Sequence, residues 1–169
     1  MLFRSKEGFA GFFRGADTFF GMIWILLVMA VSPAICEEAL FRGALLSGLR
    51  ARMRPIPALL AVSVLFGVFH LSIYRFAPTA LLGLGITYAV WRTGSLWAGV
   101  IIHFINNGLA MLLGTEKLPD AVTNLLASSG DDAGGLSTTA IAVAFAVLLL
   151  GIILIEASSR AAKGKTEPA

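Results

Sequence analysis

An all-α fold, a polytopic membrane bundle of about five to six transmembrane or re-entrant helices, is what this sequence predicts, and three observations predict it. The chain of 169 residues is 57% hydrophobic and only 14% charged, which leaves too little polar surface for a water-soluble domain to cover itself. Its apolar residues fall into runs that approach the about 20 residues a helix needs to cross a bilayer. Ionisable and amide side chains sit inside those runs one helical turn apart, where only an internal polar site can keep them. The length accommodates one such domain and no second one.

The apolar runs cover residues 19–35, 56–71, 77–91, 96–113 and 138–155. Pro33 is expected to break or kink the first, because proline lacks the backbone donor and its ring clashes with the preceding turn. A separate amphipathic helix is then expected over residues 38–53, where Leu40, Phe41, Ala44, Leu45 and Leu49 recur at helical spacing. Arg54-Pro55-Ile56-Pro57, Ala77-Pro78 and Thr93-Gly94 mark connections, and Gly8, Gly11 and Gly15 punctuate the N-terminal stretch. Residues 114–137, with Asp120, Asp131, Asp132 and Gly134-Gly135, read as a solvent loop. The chain thus divides into an N-terminal segment 1–18, a membrane domain 19–157 and a basic tail 158–169. Ser32-Pro33-Ala34 has the small residues of a signal-peptide exit, but the preceding run is as long as a full span and Pro33 disfavours processing, so a retained span is expected. Cys36 is the one cysteine; it excludes an internal disulfide or a multi-cysteine metal site and reads as a small buried thiol.

Positive residues orient a membrane protein, since short cytoplasmic loops collect Lys and Arg. With residues 38–53 as a crossing of their own, one side receives Arg4, Lys6, Arg14, Arg50, Arg52, Arg54, Arg92, Arg160, Lys163 and Lys165, and the other Arg75 and Lys117. Both termini are then expected in the cytoplasm, in a bacterial inner membrane; a re-entrant 38–53 segment flips everything after it. Trp91 and Trp97 flank Arg92 as an interfacial belt does, whereas Trp24 lies within a span. The net charge of +3 is spread over segment ends without the interleaved aromatics of a nucleic-acid surface, so membrane lipid, not nucleic acid, is the expected partner.

The polar residues inside the runs carry the chemistry. Neighbouring helical residues point about 100° apart, so Glu37 and Glu38 cannot face one target, while Glu38 and Arg42 lie a turn apart on one face. An internal Glu38 to Arg42 ion pair leaves Glu37 free as a general base for water; the plainer alternative is a solvated helix start. Phe66 lies one turn before His70 and shields its imidazole from lipid, and Gly67 permits close helix approach. His70 alone reads equally well as a helix tether or a catalytic group. His103 and Asn107 project from one face, suited either to polarising a carbonyl and holding an oxyanion or to joining helices, while Asn106 points elsewhere and bridges helices. Gly83-Leu84-Gly85 lies mid-span without the strand and helix context of a nucleotide loop, so close packing is its expected role.

Together, Glu37-Glu38-Ala39-Leu40-Phe41-Arg42-Gly43, Phe66-x-x-x-His70 and His103-x-x-x-Asn107 resemble, in order and separation, the three motifs of the CAAX-protease and bacteriocin-processing family of intramembrane proteases, over residues 35–113. The resemblance implies an all-helical intramembrane endopeptidase that cuts peptide bonds of membrane-associated or lipidated protein substrates. By motif position it assigns water activation to Glu37 with His70, support to Glu38 and Arg42, and oxyanion stabilisation to His103 and Asn107. Because the family is often labelled as metalloproteases, a zinc version stands beside this one, with Glu37, His70 and His103 as three ligands of Zn2+ and an open position for water. Spacing does not choose between them, although no HExxH helix is present. Two other classes stay open. A non-catalytic membrane scaffold or bacteriocin-immunity protein of the same fold keeps the cluster for packing or partner binding. A cation or proton pathway through Glu37, His70 and His103 expects a polar stripe toward both membrane faces, and none continues beyond the cluster.

Overall fold

The computed structural model of the chain describes residues 18–114, 151–153 and 155–157. The N-terminal basic residues and glycines, the 114–137 loop after its first residue, most of the 138–155 run and the basic tail lie outside the described residues. Within them the chain is an all-α bundle of α1 (Phe19–Arg50), α2 (Pro55–Phe69), α3 (Ile73–Thr93) and α4 (Leu96–Gly114), with 151–153 and 155–157 also helical. Helices α1 and α3 are long and apolar enough to cross a membrane.

Helix α1 opens at Thr18, whose Oγ1 accepts the Gly21 N–H at 3.0 Å. Its 32 residues rise about 48 Å, well beyond a hydrocarbon core of about 30 Å. The helix expected over 38–53 is therefore the second half of α1, and Pro33 does not separate them. The reason is local winding. Leu27–Val31 is a π-helical stretch in which Ser32 N–H reaches back to Leu27 O, and Pro33 follows at once in Ser32–Glu38. The wider turn has left the register in which a proline ring strikes a carbonyl four residues back. Continuity of α1 also removes the separate 38–53 crossing on which the placement of both termini in the cytoplasm rested. Cys36, expected to be buried, is exposed: the buried residues Ala34 and Glu38 share the inward face, and a residue midway between them points outward. A second π-wound stretch, Ala39–Leu46, carries Arg42, with Ser47 Oγ donating to the Arg42 carbonyl at 3.3 Å.

Helix α2 starts with Pro55, where the missing N–H is costless. At 15 residues it rises only about 22 Å, so its end at His70 stays at membrane depth when its start lies at the interface. Helix α3 begins earlier than the apolar run from residue 77 and takes in Pro78, with Thr79 Oγ1 donating to Arg75 O at 2.6 Å beside it. It ends as Thr93-Gly94 predicts, on Gly94 in the left-handed region at φ 68°, with its N–H on Val90 O at 2.9 Å.

The core joins Phe41 and Leu46 of α1, Val62 and Phe66 of α2, and Ile86 and Val90 of α3. Phe41 and Phe66 meet edge to face at 5.1 Å. Helices α2 and α3 approach closely at Gly67, where a Cβ would stand 2.9 Å from Ala80 Cβ and 3.0 Å from the Phe76 carbonyl oxygen. Gly85, by contrast, faces open space.

Alanine at these two glycines should move stability in opposite directions. Gly67→Ala forces a methyl against backbone and is expected to cost about 1–3 kcal/mol. Gly85→Ala meets nothing and is expected to gain about 0.5–1 kcal/mol from helix propensity. Thermal unfolding in detergent, followed by circular dichroism, checks both, and a Gly67→Ala protein as stable as wild type refutes the close approach.

Candidate active site

Arg42 and Glu38 lie one turn apart on α1, both with less than a fortieth of their surface exposed, and Arg42 Nη1 donates to Glu38 Oε1 at 2.7 Å. Burial of two charges is tolerable only when their remaining polar atoms are met. Helix α3 meets those of Arg42: Nε donates to Thr87 Oγ1 at 3.1 Å and Nη2 to Gly83 O at 2.8 Å. Thr87 Oγ1 in turn donates to Gly83 O at 2.6 Å. The guanidinium lies 4.6 Å above the centroid of the Phe66 ring, so α2 supplies the fourth contact.

The Glu38 carboxylate has a second partner. His103 Nδ1 on α4 lies 2.9 Å from Glu38 Oε1, and since a carboxylate oxygen accepts, the ring donates through Nδ1 and turns Nε2 away. Nε2 faces Glu37 Oε2 at 3.9 Å. Helix α4 comes this close because Gly99, one turn before His103, has no side chain: a Cβ there would stand 2.8 Å from Glu38 Oε2 and 2.8 Å from Val90 Cγ2. The Oε2 atoms of Glu37 and Glu38 are both buried and without a hydrogen-bond partner among the described residues.

His70 caps the C-terminal end of α2, just before Leu71, a non-glycine residue at φ 49°. Its Nδ1 donates to Phe66 O at 2.9 Å, which presents Nε2 as the lone-pair nitrogen. The His70 ring packs edge-on to Phe66 at 5.0 Å and the His103 ring at 5.7 Å, so both imidazoles rest on one phenyl ring. Glu37, Glu38, Arg42 and His103 thus form one cluster, and His70 is joined to it through Phe66. Asn107 is half-buried a turn beyond His103, and its Oδ1 accepts from exposed Asn106 Nδ2 at 3.3 Å. Among the described residues, exposed Asn106 makes this contact with its neighbour and no hydrogen bond to another helix.

Sequence reasoning named these motif residues but not Thr87, the Gly83 carbonyl or Gly99. A threonine and a glycine four apart in an apolar helix, and a glycine four before His103, are the signals that were available. The zinc alternative finds no support in the donor set. Among the described residues no three His, Cys, Asp or Glu side chains come together as a metal-holding group, and His103 Nδ1 is committed to Glu38.

A protein-family profile described as Type II CAAX prenyl endopeptidase Rce1-like matches residues 19–109, which include every candidate side chain. No curated protein and no solved structure matches the chain. The family is one of integral membrane proteins, in keeping with the apolar composition and the long helices α1 and α3. Spanning more than half of the 169 residues, from the start of α1 into α4, the match makes this protein a member of the Rce1-like family of type II CAAX prenyl endopeptidases.

Proposed function

We propose that the protein is an intramembrane endopeptidase hydrolysing peptide bonds of membrane-associated or lipidated substrates, prenylated C-terminal peptides foremost, with Glu37 and His70 activating water and His103 and Asn107 stabilising the oxyanion. The observation that carries this reading is the Glu37 carboxylate. Its Oε2 is buried, has no hydrogen-bond partner among the described residues, and stands 3.9 Å from His103 Nε2, beyond direct hydrogen-bond reach, so its lone pairs are uncommitted.

Glu37 takes a proton from the hydrolytic water that enters with substrate as its oxygen attacks the scissile carbonyl carbon. His70, with its Nδ1 proton held by Phe66 O, offers the Nε2 lone pair as a second acceptor. The carbonyl electron pair moves onto oxygen, where the Asn107 amide and His103 Nε2 donate. For Nε2 to donate while Nδ1 donates to Glu38, the ring carries both protons, and the Glu38 carboxylate is the counter-ion for that form. Collapse of the tetrahedral species breaks the C–N bond, and the proton held by Glu37 passes to the leaving amine, restoring the carboxylate. Glu38 and Arg42 support the site without touching substrate.

The same reading orients the protein. Arg50 reaches across to Trp91, donating to its carbonyl at 3.2 Å and stacking 4.2 Å from its ring, which ties the ends of α1 and α3 together. Arg52, Arg54 and Arg92 belong to that end, and Glu156 of the C-terminal helical segment joins it by accepting from Arg92 Nε at 2.6 Å and from Tyr88 Oη. By the positive-inside rule this end faces the cytoplasm of a bacterial inner membrane, its arginines among anionic headgroups.

Cleavage of a panel of farnesylated and unmodified peptides by detergent-purified protein tests the proposal. Glu37→Gln is expected to lower kcat by about 10²–10⁴-fold, and Asn107→Ala by about 10²–10³-fold. Folded wild type that cuts none of the panel, or a Glu37→Gln protein as active as wild type, sinks the reading. Dialysis against a chelator is expected to leave kcat unchanged; loss restored by added Zn2+ would instead move Glu37, His70 and His103 into a metal-binding role.

A further inference from the structure

Helix α3 carries none of the motif residues, yet its Thr87 is fully buried against the site. We propose that Thr87 is a positioning residue for the cleavage reaction: from α3 it fixes the Arg42 guanidinium, Arg42 fixes Glu38, and Glu38 fixes which nitrogen of His103 faces Glu37. The inference rests on the protease reading of the Glu37 and His103 cluster and adds to it a residue outside the three motifs.

The contacts form an unbroken series. Thr87 Oγ1 donates to Gly83 O at 2.6 Å, which aims its lone pairs at Arg42 Nε, 3.1 Å away. The neighbouring Nη2 is taken by the same Gly83 carbonyl at 2.8 Å. A guanidinium is planar and rigid, so two donors fixed on α3 determine where the third, Nη1, points. It points at Glu38 Oε1, 2.7 Å away, and that same oxygen receives His103 Nδ1–H at 2.9 Å. One carboxylate oxygen therefore serves both partners, and a shift of the arginine moves the imidazole. Phe66 beneath the guanidinium and beside the His103 ring leaves both little room to compensate. Gly83 keeps the hub tight: a Cβ there would stand 3.0 Å from Phe66 Cδ1.

Thr87→Val removes the hydroxyl and keeps the shape, and Thr87→Ser restores the hydroxyl. With a farnesylated peptide as substrate, Thr87→Val is expected to lower kcat roughly 10- to 100-fold with little change in KM, the penalty of a misplaced catalytic group, and Thr87→Ser to recover most of the loss. The chain has only two histidines, so selective ¹⁵N-histidine labelling gives two imidazole signals, assigned by His70→Gln. The hydrogen-bonded Nδ1 proton of His103 is expected in wild type and Thr87→Ser and shifted or lost in Thr87→Val. A Thr87→Val protein with wild-type kcat, or one whose kcat falls while the His103 signal is unchanged, overturns the proposal. Should wild type cut no peptide, the protease reading fails, and the histidine signal by itself still decides whether Thr87 positions His103. If Thr87→Val does not fold, Thr87→Ala in the same two measurements takes its place.

Discussion

A carboxylate and a guanidinium buried together inside an apolar bundle set the terms for every helix around them. Removing one member of such a pair typically costs about 3–5 kcal/mol, because the other is left charged and alone in a medium that cannot solvate it. Glu38 and Arg42 are carried by a single turn of α1, but α1 meets only one of their bonds to each other. The rest come from outside: Gly83 O and Thr87 from α3, the Phe66 ring from α2 and His103 from α4. Each of the four helices contributes to one electrostatic unit, so their mutual packing and the polarity of the site are one requirement.

Close approach makes that unit possible, and glycine makes the approach possible. In a membrane, where apolar side chains gain nothing by leaving lipid for protein, contacts between helices depend on backbone proximity and hydrogen bonds. Gly67 lets α2 settle on α3, Gly83 makes room for Phe66, and Gly99 lets α4 reach Glu38. Many other large apolar residues face outward, as with Trp24, Ile35, Leu81 and Ile105, which are all exposed. Inside, small residues and the charged pair sit among the apolar core side chains Phe41, Leu46, Val62, Phe66, Ile86 and Val90.

Irregular backbone gathers beside the motif residues. One π-wound stretch precedes Pro33 and a second carries Arg42, while His70 ends its helix at a turn whose next residue, Leu71, adopts a left-handed conformation. Such departures cost energy and persist where surrounding contacts hold them. Both imidazoles pack edge-on against the Phe66 ring, His70 from the end of α2 and His103 from α4.

Composition and helical spacing determined the helical class, the membrane environment, the Glu38 and Arg42 pairing and the contact of Phe66 with His70, because each depends on residues within one turn of each other or on totals over the chain. The same local rules misled at Pro33 and at residues 38–53, since a π-wound turn depends on how the helix is packed and leaves no mark in hydrophobic periodicity. They also put Cys36 inside, where only the facing of α1 against its neighbours decides exposure. What tertiary structure alone decided is which nitrogen of His103 meets Glu38, that Glu37 Oε2 lies across from the other nitrogen, and that Thr87 and Gly99 lie against the Glu38 and Arg42 pair. Those contacts join residues tens of positions apart, and no spacing along a chain encodes the direction in which one helix presents its face to another.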